Sequence, residues 1–229
     1  MGSAVDGLLL IDKPAGMTSH DVVDEIRRRF RMRRVGHGGT LDPAATGLLI
    51  LLLGRSTRHA RVLLGADKTY AGTLLLGIST DTQDAEGKVL VTREVGPLTR
   101  EQIEKVCARF RGPIEQEVPA YSAVRIQGKR FYDLARAGKP VPRRVRKVTV
   151  HELQVLDLRL PEVDLEATCS SGTYVRTLCA DIGEALGCGG HLKRLSRTQV
   201  GPFWLANAVR LQEAREEHVI SADRLMQGV

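Results

Sequence analysis

The sequence RVGHGGTLDPAATGLLILLLG, from Arg34 to Gly54, places a glycine-rich segment and one carboxylate directly before a continuous run of hydrocarbon side chains. The run from Gly47 to Leu53 is too short and too uniformly apolar for an amphipathic helix, so it predicts a strand covered on both faces. Desolvation of an unpaired charge costs several kcal/mol. Asp42, beside this strand, is therefore expected to have a hydrogen-bond partner, a charged partner or a function.

Apolar residues at helical spacing predict helices on both sides of this strand. Thr18 or Ser19 is the expected N-cap of the first helix. Thr99 and Gln102 form the expected capping box of the third helix, which Gly112 ends. The predicted helices cover residues 19–30, about 57–64, 98–112 and 173–187.

Alternating and β-rich segments predict strands over residues 68–80, 147–160 and 162–171. Residues 81–91 are expected to form the turn and partner strand of a hairpin, with Gly87 supplying the unusual backbone dihedrals of the turn. Strands and helices mix without a regular βαβ repeat. The pattern predicts an α+β fold with a mixed, mainly antiparallel central sheet flanked by helices.

Several classes of function lack their sequence signals. The four cysteines form no CxxC pair, and the six histidines show no paired-ligand spacing, so no metal site is expected. Walker A, dinucleotide and GxSxG motifs are also absent from the sequence. The N-terminal apolar stretch is too short for a signal peptide, and no segment approaches a membrane span. We therefore expect a cytoplasmic protein without a metal or membrane contact.

Basic charge is concentrated in two segments of the chain. Six arginines and no acid lie between Arg27 and Arg34, and nine basic residues and one acid lie from Arg125 to Lys147, against a net charge of +7 overall. A charge run is usually a solvated helix face, but two such runs in an otherwise acidic chain favour a nucleic-acid partner. The candidate contacts to an RNA backbone are Arg33, Arg34, Lys129, Arg130, Arg143 and Arg144.

Residues 119–147 are interpreted as an inserted segment. Gly128, Gly138, Pro140 and Pro142 interrupt its many cations, which indicates a mobile basic arm rather than part of the core.

One carboxylate, some arginines and a few tyrosines remain as candidates for chemistry. Asp42 precedes Pro43, a pair that also suits a simple helix N-cap. Tyr70 and Tyr174 lie beside glycines, although each could be an ordinary core aromatic, and Arg176 could keep Asp42 ionised. This set suits an enzyme that unstacks an RNA base, holds it between apolar and aromatic groups, and needs no cofactor.

Five collinear motifs resemble the bacterial TruB-type tRNA pseudouridine-55 synthases. The central one is GHGGTLDPAATGLL, which matches the GxLDPxATG signature of that family. The others are LLLIDKPAGMTSHDVV, DKTYAGTLLLGISTDTQDAEG, PAYSAVRIQGKRFYDLARAG and CSSGTYVRTLCADIGEALGCGGHLKRLSRTQVGPF. The resemblance covers essentially the whole chain and implies a pseudouridine synthase fold.

The resemblance also implies roles for individual residues. Asp42 would be the essential catalytic aspartate, and Arg176 would pair with it. Tyr70 would stack on the flipped uracil and assist removal of the proton at carbon 5. The residues implied to bind substrate are His37 in the vacated T loop, Tyr174 and Leu195 in the pocket wall, and Lys13 and Pro14 as its support.

For the whole chain, the resemblance implies one catalytic domain over residues 1–229 that isomerises the T-loop uridine of tRNA. Residues 119–147 would be a thumb-like insertion that closes on the T arm. Family members commonly continue into a PUA-type C-terminal domain, which we expect to be absent, and we expect a monomer. Gly39 stands where many members have threonine, so one local hydrogen bond of those members is not expected in this chain.

Two alternatives remain open at this point. The same scaffold could be a non-catalytic module that binds tRNA and helps it fold. A glycosidase would need two cooperating carboxylates, and only Asp42 has a convincing setting. Within the synthase reading, attack on carbon 6, attack on the anomeric carbon and a glycal route are all compatible with the sequence.

Overall fold

The chain divides into two compact units, which are described separately. The first unit comprises Met1–Ala71 and Leu195–Val229, and the second comprises Gly72–Arg194. A computed structural model describes residues 5–122, 124–126 and 129–226, without the side chains at positions 125, 126, 129, 130, 224 and 226. No helix among these described residues is long and apolar enough to cross a membrane.

The elements of the described chain are numbered in sequence order. The strands are β1 (Gly7–Lys13), β2 (Val35–His37), β3 (Thr46–Leu53), β4 (Lys68–Leu76), β5 (Ile78–Thr80), β6 (Val89–Thr92), β7 (Gly112–Glu117), β8 (Arg125–Ile126), β9 (Lys129–Arg130), β10 (Val145–Arg159), β11 (Glu162–Cys169), β12 (Gly190–Val200), β13 (Phe203–Trp204) and β14 (Val209–Arg210). The helices are α1 (Ser19–Arg29), α2 (Ala60–Gly65), α3 (Arg100–Ala108), α4 (Phe131–Arg136) and α5 (Val175–Ala185). Short 3₁₀ helices cover Gly54–His59, Leu205–Asn207, Leu211–Glu213, Glu216–His218 and Ala222–Met226.

Strand β3 is the centre of the first unit. It pairs antiparallel with β1 from Gly7 opposite Leu53 to Lys13 opposite Gly47, and its other edge takes β2 and the end of β12. Strand β14 pairs with the outer edge of β1 in parallel. The unit therefore contains both parallel and antiparallel strand pairs, and the end of β12 runs parallel to the beginning of β3.

Both faces of β3 are buried, as the continuous apolar run predicts. Leu49, Leu51 and Leu53 pack in one core cluster with the apolar face of α1. Leu48, Ile50 and Leu52 pack in a second cluster on the opposite face, which includes Leu63 of α2. The prediction of a doubly covered strand is confirmed.

The first helix begins at a capping box. The Thr18 hydroxyl accepts a hydrogen bond from the Asp21 amide, and the Asp21 carboxylate accepts one from the Thr18 amide. Thr18, rather than Ser19, is thus the N-cap. The helix predicted near residues 57–64 differs from the one observed. The chain forms a 3₁₀ helix over Gly54–His59 and becomes α-helical only in α2.

The second unit is built on the strand order β4-β11-β10-β7. Strand β10 pairs antiparallel with β11 on one side and with β7 on the other. Helix α3 begins at the predicted capping box of Thr99 and Gln102, and it buries Ile103 and Cys107. Together with the first unit, this arrangement confirms the α+β prediction with a mixed, mainly antiparallel sheet.

The β5–β6 hairpin forms, but its turn differs from the prediction. The residue with positive φ is Gln83, at 65°, whereas Gly87 is not among the positive-φ residues. Glycine is needed at position 87 because the backbone there passes close to Thr82. A Cβ at this position would lie 2.3 Å from Thr82 Oγ1.

The segment 119–147 contains more regular structure than predicted. It includes β8, β9 and α4, and β10 already begins at Val145. Phe131 at the start of α4 is 0% exposed. The expectation that this segment contributes nothing to the core is therefore wrong at Phe131, while its interpretation as an inserted, mobile basic arm stays a prediction.

Candidate active site

The Asp42 loop of the first unit is anchored on both sides of the carboxylate. Leu41 and Ala45 are buried in the same core cluster, and the Ser19 hydroxyl bonds both backbone groups of Leu41. Asp42 itself is exposed, so the assumption that its charge is desolvated is wrong, while the expectation that it has a partner or a function stays a prediction. Residues 43–44 form a turn rather than a helix, so the N-cap alternative is also wrong.

Lys13 joins two turns beside this loop. Its side chain is 0% exposed, and its ammonium donates hydrogen bonds to the carbonyls of Pro14 at 2.8 Å, Met17 at 2.6 Å and Pro43 at 3.2 Å. Burial lowers the pKa of Lys13, and the charge of Asp42 opposes that shift. Lys13 thus links the turn after β1 to the Asp42 loop, and the roles of Lys13 and Pro14 as supports of a substrate pocket stay predictions.

Tyr70 and Leu195 lie in the same part of the first unit. Both are partly buried and pack against the core cluster that contains Leu41 and Ala45. The Tyr70 side chain is hydrogen-bonded with Arg197. An aromatic ring and an aliphatic side chain on the core cluster that anchors the Asp42 loop are groups suited to a flat, partly apolar ligand.

His37 lies in β2, just before the glycines of the loop. Its Nδ1 accepts a hydrogen bond from the Gly39 amide at 3.3 Å. Burial lowers the pKa of His37, with smaller effects in the same direction from Arg197 and His20. Six of the residues selected from the sequence therefore belong to the first unit: Lys13, Pro14, His37, Asp42, Tyr70 and Leu195.

Tyr174 and Arg176 lie at the start of α5 in the second unit. The Gln116 side chain accepts from the Tyr174 amide at 2.7 Å and donates to the Tyr174 carbonyl at 3.1 Å. The Tyr174 ring lies 5.4 Å from the guanidinium of Arg146 and 5.8 Å from that of Arg176. Gln116, which sequence reasoning missed, is 1% exposed and sets the position of this tyrosine.

Arg176 is largely buried in the second unit. Its guanidinium donates to Asp84 Oδ2 at 3.1 Å and to the carbonyl of Tyr121. Sequence reasoning missed the contact with Asp84, which pairs a second carboxylate with this cation. The predicted pairing of Arg176 with Asp42 stays a prediction.

The cations of the two basic segments differ in their hydrogen-bond partners and in their exposure. Arg27, Arg28 and Arg29 form ion pairs with Asp24 or Glu25 of the same helix. The exposed candidates for RNA contact are Arg33, Arg34, Arg143 and Arg144, of which Arg34 bonds Thr57 and Arg143 bonds Glu117. Exposed Arg58 and Arg61, which sequence reasoning missed, follow Thr57. The side chains of Lys129 and Arg130 lie outside the described residues.

Among the side chains described, no group of three or more histidine, cysteine or acidic residues could hold a metal ion. The four cysteines are buried and free, and burial raises the pKa of Cys107 to about 11. The chemistry that this arrangement can support is that of one exposed carboxylate beside aromatic and cationic groups.

Two family descriptions match consecutive parts of the chain. Residues 27–175 match the TruB family pseudouridylate synthase (N terminal domain), and residues 176–227 match the tRNA pseudouridylate synthase B C-terminal domain. The chain is 46% identical over 225 residues to tRNA pseudouridine synthase B of Azoarcus sp. (strain BH72), covering 98% of the chain and 75% of the relative. It is 47% identical over 230 residues to the protein of that name from Burkholderia pseudomallei (strain 668), covering 97% and 76%.

Solved structures show the same fold. A chain in the structure of a Cbf5-Nop10-Gar1 complex superposes with a TM-score of 0.73 at 32% identity, covering 91% of this chain and 53% of that one. A chain in an H/ACA RNP bound to a substrate RNA containing 2'-deoxyuridine gives 0.70 at 29% identity, covering 92% and 52%. This chain thus spans about half the length of both. A pseudouridylate synthase structure at 15% identity, with a TM-score of 0.53, agrees in fold. The predicted pseudouridine synthase fold is confirmed.

Proposed function

This chain belongs to the TruB family of pseudouridylate synthases, and from that membership we propose that it isomerises uridine 55 in the T loop of tRNA to pseudouridine. One observation carries the assignment of the site. The exposed carboxylate of Asp42 lies on a loop anchored by buried neighbours and by Lys13, and the partly buried ring of Tyr70 packs against the same core cluster as those neighbours. No cofactor takes part in the proposed reaction.

In the proposed reaction, the glycosidic bond breaks, the uracil turns within the pocket and its carbon 5 joins the ribose. Asp42 acts in every route: as nucleophile at carbon 6, as nucleophile at the anomeric carbon, or as the base that forms a glycal. Tyr70 stacks on the uracil and helps remove the proton from carbon 5 once the new bond has formed. A partly apolar pocket limits capture of a detached sugar by water.

The reaction requires that the target nucleotide leaves its stack. Base flipping costs a few kcal/mol, which contacts outside the pocket must supply. We assign that role to Arg33, Arg34, Arg143 and Arg144, together with Lys129 and Arg130. His37 takes the space that the flipped nucleotide vacates, and residues 119–147 close on the T arm as a thumb-like insertion.

Arg176 and Tyr174 complete the proposed site. A cation beside the catalytic carboxylate keeps it ionised, and Tyr174 and Leu195 form walls of the pocket. We treat residues 1–229 as one catalytic domain that acts as a monomer in the cytoplasm. The partner is the T arm of tRNA, and its binding should weaken as the salt concentration rises, because phosphate contacts release counterions.

The test is tritium release from a tRNA transcript labelled at carbon 5 of its uracils. Wild-type protein is expected to release one equivalent, and a transcript with cytidine at position 55 none. Asp42→Asn should abolish release and leave tRNA affinity nearly unchanged. Asp157→Asn, which removes a carboxylate paired with Arg159 in the second unit, is the control and should retain full release.

Release by Asp42→Asn at the wild-type rate would overturn the role of Asp42. Absence of release from the wild type, with tight and salt-sensitive binding of the transcript, would instead favour the alternative of a non-catalytic module that binds and folds tRNA.

A further inference from the structure

Arg197 is a deeply buried cation that the reaction proposed above does not use. It lies in β12 of the first unit, and its side chain is among the largest that are fully buried, at 2% exposure. A buried charge is stable only if its hydrogen-bonding capacity is met. Burial lowers the pKa of the Arg197 guanidinium, and Tyr70 opposes that shift.

The guanidinium of Arg197 meets this requirement with backbone carbonyls. Its Nε donates to Leu48 at 2.8 Å, Nη2 donates to Gly39 at 3.1 Å, and Nη1 donates to Thr40 at 3.4 Å. Gly39 and Thr40 are the residues just before the Asp42 loop, and Leu48 lies just after it in β3. One planar group therefore holds both ends of the segment that carries Asp42.

The backbone of the same segment packs against Arg197 at two glycines. Gly39 has φ of 145° and Gly47 has φ of 96°, which both favour glycine. A Cβ at Gly47 would lie 2.4 Å from the Arg197 carbonyl oxygen, and one at Gly39 would lie 3.6 Å from Nη1. The backbone of Arg197 therefore leaves no room for a side chain at Gly47, whereas at Gly39 a Cβ would make an ordinary contact and only the positive φ favours glycine.

Arg197 also contacts Tyr70, so one side chain connects two parts of the proposed site. The hydrogen bond between them is reciprocal: Tyr70 favours the charged guanidinium, and Arg197 orients the phenol group. Arginine suits this task because its fork offers five donors in a fixed plane, which a lysine ammonium cannot reproduce.

We propose that Arg197 is a positioning residue of the isomerisation, which sets the distance between the Asp42 carboxylate and the Tyr70 hydroxyl. This proposal rests on the function proposed above for these two residues. Arg197 itself touches neither the uracil nor the ribose. Its effect on the rate arises because the relative position of a carboxylate and a phenol that act on one base must be fixed to within a fraction of an ångström.

The test compares Arg197→Lys with Arg29→Lys. Arg29 is a matched control, because it also donates to three carbonyls of the first unit, those of Leu211, Gln212 and Ala214, which lie outside the Asp42 loop. Both variants should lower the melting temperature. Single-turnover isomerisation should fall about a hundredfold for Arg197→Lys and stay within about threefold for Arg29→Lys, with tRNA affinity unchanged in both.

A double-mutant cycle with Tyr70→Phe tests the connection to the tyrosine. Removal of the hydroxyl should make Arg197→Lys clearly less costly than in the wild type, since part of its effect is already lost. Arg29→Lys should cost the same in both backgrounds. If Arg197→Lys does not fold, Arg197→Gln, which keeps an amide donor in the same space, replaces it in each comparison.

Three results would overturn the proposal: full single-turnover rate in Arg197→Lys, equal rate losses in the two lysine variants, or additive losses in the cycle. Failure of the proposed function looks different, because wild-type protein itself would then release no tritium.

Discussion

In the first unit, buried cations hold backbone carbonyls, whereas in the second unit a buried arginine holds a carboxylate and a buried amide holds a tyrosine. Lys13, Lys68 and Arg197 illustrate the first kind, since each donates to three carbonyls. Arg176 with Asp84, and Gln116 with Tyr174, illustrate the second. The first arrangement fixes the path of the chain, and the second fixes individual side chains.

This difference separates two uses of positive charge. A cation whose donors are satisfied by carbonyls is buried and has no capacity left for phosphate, which is the case for Lys68. Burial lowers the pKa of Lys68 to about 8, and the nearby charge of Arg197 adds to the shift. The number of basic residues therefore exceeds the number available to contact phosphate, because some of the cations instead bind backbone carbonyls in the loops of the first unit.

The largest effect on stability is expected at Gln116, on which the position of Tyr174 in the second unit depends. Gln116→Leu removes both bonds to the Tyr174 backbone: the amide loses its acceptor, and the carbonyl keeps only the hydrogen bond from the Leu178 amide. The expected loss is about 2 kcal/mol of unfolding free energy. Single-turnover isomerisation should fall about tenfold, because Tyr174 is no longer held at the start of α5. Urea titration and rapid-quench assays measure the two effects.

Gln116→Glu is the matched variant, since it keeps the acceptor for the Tyr174 amide but, when ionised, turns a buried carboxylate toward the Tyr174 carbonyl. It should lose less stability than Gln116→Leu near about pH 4, where a protonated carboxyl can still donate to that carbonyl, and at least as much at about pH 8. Wild-type stability and rate in Gln116→Leu would mean that the second unit holds Tyr174 through its ring contacts alone.

Much of the fold follows from local patterns. The apolar run of β3 and the capping boxes at Thr18 and Thr99 are short-range signals, and each predicted its element. The turn of the β5–β6 hairpin was misassigned because glycine serves two purposes, positive φ and close approach. Gly87 serves the second, while Gln83 adopts the positive φ.

The site was only partly accessible from the sequence. Resemblance identified Asp42 and Tyr70, but Arg197 is one of three basic residues in KRLSR, and its partners lie 149 to 158 positions away. Only tertiary packing reveals which of these cations is buried. The pairing of Arg27, Arg28 and Arg29 did have a sequence signal, namely acids three and four positions earlier on a predicted helix.

A smaller effect is expected at Asp181, on the helix that carries Arg176. Burial, and then the charge of Glu117, raise the pKa of Asp181 from 3.8 to about 6. Above that pH the folded protein holds a poorly solvated carboxylate, so this group reduces stability as the pH rises from about 4 to 6. In the first unit, by contrast, the charges of Lys13, Lys68 and Arg197 are compensated by carbonyls.

Asp181→Asn should therefore be more stable than the wild type by about 1 kcal/mol at pH 8, and the difference should vanish near pH 4. Urea titrations at several pH values measure it. Glu86→Gln, at an exposed position of the β5–β6 hairpin, controls for the loss of one negative charge. A gain in Asp181→Asn that does not depend on pH would contradict the explanation.

The smallest effect concerns the exposed cations, and it tests the distinction between the two uses of charge. Arg33 is exposed, whereas Arg28 is equally accessible but bonded to Glu25. Each phosphate contact contributes about one unit to the slope of log affinity against log salt. Arg33→Ala should reduce that slope for tRNA by about one, and Arg28→Ala should leave it unchanged. Equal slopes in both variants would mean that an ion pair on the helix surface does not withhold an arginine from phosphate, and the distinction would then hold only for the buried cations.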